Sequence, residues 1–243
     1  MKSSSSLRQI RGFSRDALAD FVAANIGSLL EDEVLDVLAN RYVTPQICQV
    51  IAQNQRLTAF YSVRLRLVEH RSTPQAHAVK LVHYLHWPDM VRLSVDVSVS
   101  PAVRRAIETQ LLLRIDKLSL GERIASAKRC SQALIKVFLF DPDPKVFSAL
   151  LLNQRVREDD VLLLAGSDRA SAEKLLMIAG DRKWSSRYAL RKALVMNPRT
   201  PRSIAASQLR FLTNRDLSDI LRHPATSVYL RRCIERLRPA LTD

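Results

Sequence analysis

Arginine side chains recur at one position of five similar segments of this sequence, and a guanidinium group is well suited to binding an anion. The segments are SVRLRLVEH (62–70), AVRRAIETQ (102–110), KVFSALLLN (145–153), ALRKALVMN (189–197) and YLRRCIERL (229–237). Their third positions, spaced 40, 43, 44 and 40 residues apart, are Arg64, Arg104, Phe147, Arg191 and Arg231. Because the planar guanidinium matches phosphate and carboxylate oxygens, this arginine column predicts an anionic partner.

Further basic residues flank the arginine column. The complete set of candidate residues for binding an anionic partner is Arg64, Arg104, Arg105, Arg187, Arg191, Lys192, Arg231 and Arg232. Equivalent positions of stacked repeats form a stripe across a surface, which would suit nucleic-acid phosphate or an acidic peptide. The alternative interpretation is structural: the arginine stems pack over the next helix, and the charges pair with acids such as Glu108 and Glu235.

Other residue types that could do chemistry lack the partners that such chemistry needs. His77, His83 and His86 share one helical segment, but a catalytic zinc site needs three protein ligands and a structural site needs four. No GxSxG, P-loop or GxGxxG motif occurs in the sequence. The paired acids Asp141 and Asp143 lie in FDPDPK, where the prolines indicate a turn between helices. We therefore expect no catalytic residue, no metal and no cofactor.

The composition is that of a globular protein with a strong basic excess. The 243 residues include 38 Lys+Arg and 24 Asp+Glu, for a formal net charge of +14, and 47% are hydrophobic. This hydrophobic content excludes an extended disordered chain, and only 5 glycines argue against hairpin-rich β architecture. Residues 1–70 have a net charge of +1, so the basic excess lies in the later two thirds of the chain.

Three cysteines lie far apart in the sequence, which gives neither a CxxC pair nor a disulfide framework and suits a reducing compartment. No stretch approaches 18 consecutive apolar residues, so no transmembrane segment is predicted. The first residues are basic but lack the apolar region of a secretory signal. We expect a cytoplasmic protein; its oligomeric state is left open.

Apolar residues recur at helical spacing along almost the whole chain, as in the stripe of Val103, Ile107 and Leu111. A hydroxyl residue followed by proline is the expected start of a helix. Four such starts are predicted, at Thr44-Pro45, Thr73-Pro74, Ser100-Pro101 and Thr200-Pro201. His70 and His223 are predicted to cap helix ends.

The period of about 40 residues resembles that of HEAT and armadillo arrays. The turn NPRTP at 197–201, echoed by HRSTP at 70–74, is similar to turns of bacterial leucine-rich-repeat-variant and HEAT-like solenoids, whereas NQRVR at 153–157 departs from it. The resemblance implies an all-α, right-handed α-solenoid (superhelix) of about five repeats of 40–44 residues, each with three helices except the first, which has two. The implied organisation is a single domain, 14–243, with a flexible tail at 1–13, a helical cap at 14–43 and repeats at 44–237.

Such solenoids bind partners along a concave face, so the sequence favours a non-enzymatic scaffold whose basic groove binds a protein or another anionic partner. The alternative is a nucleic-acid-binding protein. Its enzymatic form would be an alkylpurine DNA glycosylase, which this chain is similar to only in HEAT-like architecture and in size. The residues in question are the Trp87–Asp89 and Trp184–Asp181 pairs. Both tryptophans are also typical of the core between repeats.

Overall fold

The computed structural model describes residues 10–237 of the chain, and every regular element in that range is helical. The prediction of an all-α fold is confirmed. No helix of the described range is long and apolar enough to cross a membrane. The described residues form two compact units, residues 10–117 and residues 118–237. They are called the N-terminal unit and the C-terminal unit below.

Eight α-helices have both ends within the described part of the N-terminal unit, which ends in a short 3₁₀ turn, Ile115–Lys117. The helices are α1 (Arg15–Asn25), α2 (Glu31–Ala39), α3 (Pro45–Gln53), α4 (Gln55–Thr58), α5 (Tyr61–Glu69), α6 (Gln75–Val82), α7 (Trp87–Ser94) and α8 (Pro101–Arg114). The segment 44–70 therefore holds three helices instead of two, since the four-residue α4 interrupts it. Residues 1–9 of the predicted tail lie outside the described residues, whereas Ile10 is buried.

The C-terminal unit contains nine α-helices among its described residues. They are α9 (Leu120–Ala127), α10 (Gln132–Leu139), α11 (Pro144–Leu151), α12 (Glu158–Ala165), α13 (Ala172–Gly180), α14 (Tyr188–Met196), α15 (Arg202–Leu209), α16 (Asn214–Arg222) and α17 (Val228–Leu237). Helix α15 packs between α14 and α17. A core cluster that includes Leu209, Leu217 and Ile234 joins the last four helices.

Two of the four predicted hydroxyl caps are present. The Thr44 and Ser100 side chains accept hydrogen bonds from the N–H groups of Ile47 and Val103, as expected for caps before proline. The other two predictions are wrong, because α6 and α15 begin one residue later, after Pro74 and Pro201 in extended conformation. Thr73 and Thr200 are buried and precede these prolines.

In the C-terminal unit, two buried asparagines connect a turn to the end of an earlier helix by hydrogen bonds. The Asn153 Nδ2 donates to Ala127 O at 3.0 Å, and its Oδ1 accepts from Arg155 N at 3.0 Å. Asn197 makes the same arrangement with Ala165 O and Arg199 N at 2.7 and 2.9 Å. The NQRVR turn therefore has the same asparagine hydrogen bonds as the NPRTP turn, although the rest of its sequence departs from that pattern.

A tyrosine hydroxyl caps a following helix in both units. The Tyr61 hydroxyl donates to the Asp89 carboxylate and accepts from His86 N at 3.2 Å, at the start of α7. In the C-terminal unit, Tyr188 bonds in the same way to Asp216 and Thr213 at the start of α16. The hydroxyl thus pairs one of the N–H groups that a helix start leaves without a partner.

Candidate functional site

The five aligned segments have the same register: they begin at the second residue of α5, α8, α11, α14 and α17, and three of them end one or two residues after their helix. Their second positions are all buried, at Val63, Val103, Val146, Leu190 and Leu230. At the third position Phe147 is fully buried and the four arginines are half-buried. The arginine column therefore lies at the edge of the packed interior in each unit.

Three arginines of the column donate to backbone carbonyls just before their own helix. The pairs are Arg64 Nη2 to Ala59 O at 3.3 Å, Arg191 Nε to Ser185 O at 2.7 Å, and Arg231 Nη2 to His223 O at 3.0 Å. The Arg191 guanidinium also lies 3.8 Å from the ring centroid of Phe211. These contacts hold the guanidinium groups against the protein, where they stabilise turns and cover aromatic rings.

The four flanking candidates have different surroundings. Lys192 Nζ lies 2.6 Å from the Asp216 carboxylate, and Arg187 Nε lies 3.7 Å from that of Glu158. Arg105 and Arg232 are exposed, and their guanidinium groups form no hydrogen bond or ion pair with the described part of the chain. Of the eight predicted residues, these two are the exposed ones without a hydrogen bond or an ion pair in the described chain. Arg104 also lacks both, but it is half-buried, and its Nε is buried without a partner among the described residues.

The division into units separates the candidates. Arg64, Arg104 and Arg105 belong to the N-terminal unit, and the C-terminal unit contains Arg187, Arg191, Lys192, Arg231 and Arg232. The N-terminal unit has 13 basic and 11 acidic residues within 10–117, whereas the C-terminal unit has 22 and 12 within 118–237. The positive charge of the described chain is therefore concentrated in the C-terminal unit.

Within the C-terminal unit, residues 188–237 have ten basic and three acidic side chains. Lys192 is the one basic residue of this segment in an ion pair with the described chain. Seven arginines of the segment are exposed and without an ion pair, and they are called the C-terminal arginines: Arg199, Arg202, Arg210, Arg215, Arg222, Arg232 and Arg236. The repeat alignment selected Arg232 alone among these seven, because Arg232 follows the arginine column directly and the other six do not flank it. The composition of the segment could have revealed those six.

Asp216 compensates part of this charge. Its carboxylate accepts hydrogen bonds from Lys192 Nζ at 2.6 Å, from the Tyr188 hydroxyl and from Thr213 Oγ1 at 3.0 Å. The bond from Lys192, followed by that from Tyr188, lowers the pKa of Asp216 to about 2. The same ion pair raises the pKa of Lys192. The charge of Lys192 is therefore paired with a carboxylate of the protein itself.

The lowered pKa of Asp216 predicts acid sensitivity at this site. The stabilisation that the ionised Asp216 carboxylate adds to the free energy of unfolding is complete above the ordinary carboxyl pKa. This stabilisation is lost as the pH falls from about 4 towards 2. The loss of stability caused by Asp216→Asn should therefore be constant at neutral pH and shrink over that acid range, as measured by urea unfolding at each pH. Asp219→Asn, an exposed control on the same helix, should lack that trend. Parallel curves for the two variants would contradict the prediction.

The buried ammonium group of Lys174 has hydrogen-bond partners within the fold. Lys174 is 4% exposed, and its Nζ donates to Leu139 O at 2.8 Å and to Asp141 O at 2.5 Å, where α10 ends. A cation in this place satisfies carbonyls that the helix leaves without partners. Burial lowers the pKa of Lys174. Its bonds to the two carbonyls give it a structural role.

The remaining candidates for chemistry have structural partners. Asp89 bonds to Tyr61, and Asp181 Oδ1 accepts from Trp184 N at 3.1 Å, so both acids of the tryptophan pairs stabilise helix starts or turns. Burial raises the pKa of Cys130 to about 12, which keeps its thiol protonated at neutral pH. No group of three or more potential metal ligands occurs within residues 10–237.

Comparison with known proteins identifies no relative of this chain. No family model matches it, and neither a curated protein nor a solved structure does. The HEAT and armadillo resemblance therefore depends on the repeat pattern and on the turns.

Proposed function

We propose that this protein is a non-enzymatic α-solenoid whose C-terminal unit binds an acidic segment of a partner protein. The solenoid part is supported by the packing, because the helix pairs with the most extensive contacts are at most three helices apart in chain order. Such local contacts are typical of stacked repeats. The common register of the five aligned segments is a second support for stacked repeats.

The observation that carries the binding proposal is the set of C-terminal arginines, whose charges have no ion-pair partner within the described chain. Exposed charges of one sign raise the local concentration of an oppositely charged partner and direct its approach. Of the eight predicted residues, Arg232 belongs to this set. Arg191 and Arg231 donate to backbone carbonyls, so their part in the proposed site is to hold the turns beside it.

A salt titration tests this function. A fluorescent polyglutamate peptide should bind the full chain, and its affinity should fall steeply with salt because binding releases counterions. Short duplex DNA and duplex RNA that carry the same fluorophore are titrated in parallel for comparison. A flat plot of log affinity against log salt for polyglutamate would overturn the proposal. Tighter binding of either nucleic acid at every salt concentration would replace it with the nucleic-acid alternative.

A further inference from the structure

A small cavity with both polar and apolar lining residues lies in the C-terminal unit between two turns that precede helices. It has a volume of about 150 Å³ and lies between the NPRTP turn before α15 and the turn 223–227 before α17. Its polar lining consists of Asn197, Thr200, Arg202, His223, Thr226 and Ser227. The cavity is smaller than sites that enclose drug-sized molecules, about 300 Å³ or more, but it can hold one small polyatomic group.

Most acceptor atoms around the cavity are already in use. Asn197 Oδ1 accepts from Arg199 N at 2.9 Å, and His223 Nδ1 accepts from Ala225 N at 3.3 Å. The second ring nitrogen of a neutral His223 is therefore a donor. Ser227 Oγ accepts from Leu230 N at 3.3 Å, which leaves its hydroxyl proton available.

The charges around the cavity have one sign. The guanidinium of Arg202 is exposed and free of ion pairs with the described residues, and no carboxylate belongs to the cavity lining. Helix α15 starts at Arg202 and has eight residues, and its N-cap, Pro201, has no side-chain oxygen to accept the N–H groups of the first turn. These N–H groups and the helix dipole favour an anion.

Thr200 is a second, independent sign of a ligand. Its side chain is 6% exposed, it lines the cavity, and its Oγ1 has no hydrogen-bond partner among the described residues. A buried hydroxyl without a partner is energetically unfavourable, and a bound ligand that accepts its proton would remove that cost. In the equivalent turn of the N-terminal unit, Thr73 Oγ1 also lacks a hydrogen-bond partner among the described residues, although it lies beside the Cys48 thiol. By alignment of α3 with α13, Leu175 occupies the position of Cys48 in the C-terminal unit.

We propose that this cavity binds a phosphate group, either as inorganic phosphate or as a phosphate monoester. The donors from Thr200, Ser227, His223, Arg202 and the start of α15 outnumber the needs of a carboxylate and suit three terminal phosphate oxygens. This inference rests on the proposed function only for the negative charge of the ligand. The cavity and the set of C-terminal arginines have one residue in common, Arg202, and their other residues are different.

The test is calorimetric titration of the full chain with inorganic phosphate, with O-phosphoserine and with acetate. Phosphate should bind, and acetate should bind much more weakly. Thr200→Val and Arg202→Gln should each weaken phosphate binding about tenfold, the usual effect of losing one hydrogen bond to a charged group. Tighter binding of O-phosphoserine would support a monoester ligand, and equal or weaker binding would support free phosphate.

Two matched variants control for charge and for folding. Arg199→Gln removes the same charge beside the same turn but outside the cavity lining, and Thr73→Val makes the same change in the other unit. Both should keep phosphate affinity within twofold. An absence of phosphate binding, equal binding of acetate, or an equal loss in Arg199→Gln and Arg202→Gln would overturn the proposal. Because polyglutamate binding is measured separately, phosphate failure with polyglutamate binding intact would refute this site alone.

Discussion

Replacing Asn153 with alanine should lower the free energy of unfolding by about 3 kcal/mol, the largest stability effect expected for a polar residue of this chain. The side chain is 1% exposed, and its Nδ2 donates to Ala127 O and Cys130 O at 3.0 and 3.2 Å. Its Oδ1 accepts from Arg155 N at 3.0 Å. Alanine would remove the amide bonds to two carbonyls, in buried contacts, and would leave the Arg155 N–H without its side-chain partner.

Urea unfolding followed by circular dichroism measures this effect. Asn214→Ala is the matched control, because Asn214 is exposed at the first residue of α16, and its loss should be below about 0.5 kcal/mol. Equal losses in the two variants would show that the asparagine bridge adds nothing to stability. Asn153→Asp is a further check: the carboxylate cannot donate to the two carbonyls, so it should be at least as destabilising as alanine.

Removing four C-terminal arginines should weaken polyglutamate binding by about a hundredfold at low salt, since several charge contacts and their counterion release are lost together. The variant changes Arg215, Arg222, Arg232 and Arg236 to glutamine and leaves Arg202 intact. All four side chains are exposed and without an ion pair in the described chain, so the fold should keep its stability. Fluorescence anisotropy with the labelled peptide measures the affinity.

The matched control makes the same change of charge in the N-terminal unit. It replaces Arg15, Arg71, Lys80 and Lys117, which are also exposed and without ion pairs in the described residues, with glutamine. A smaller loss, below about fivefold, is expected, because that unit is close to neutral. Equal losses in the two variants would show that binding follows net charge and has no site in the C-terminal unit.

A third variant tests whether two arginines of the column bind the partner or stabilise the fold. Arg191→Gln with Arg231→Gln removes guanidinium groups that donate to Ser185 O and His223 O. We expect this double variant to lower the melting temperature more than it lowers affinity, because those donors are engaged within the fold. A larger loss of affinity than of thermal stability would show that the arginine column is the principal anion site.

Local features of the fold were predictable because they depend on neighbouring residues. The apolar spacing around Val103 and Ile107 predicts a helix, and Ser100-Pro101 predicts its start, since both signals act within two helical turns. The same rule failed at Thr73 and Thr200. There the helices start after the proline and the threonine side chains are buried, an outcome that depends on packing around the turn.

The candidate site shows the same division. Composition alone could have identified residues 188–237 as basic, whereas the repeat alignment selected a column that includes Arg191 and Arg231. Whether an arginine is available to a partner depends on which carbonyls and carboxylates lie within reach, and these come from residues distant in the sequence. Lys192 is an example, because its partner Asp216 is on a different helix.

The sequence by itself determined an all-helical chain, the register of five recurring segments and an excess of positive charge in its later part. Each of these follows from side-chain type and short-range spacing, which act before the chain folds. Only the tertiary structure decided which charges within residues 10–237 lack an ion pair and which turns share the asparagine bridge. It also decided that Thr200 lines a cavity, where its hydroxyl has no hydrogen-bond partner in that range. Burial and hydrogen-bond partners are properties of three-dimensional packing, and residues far apart in the chain supply them.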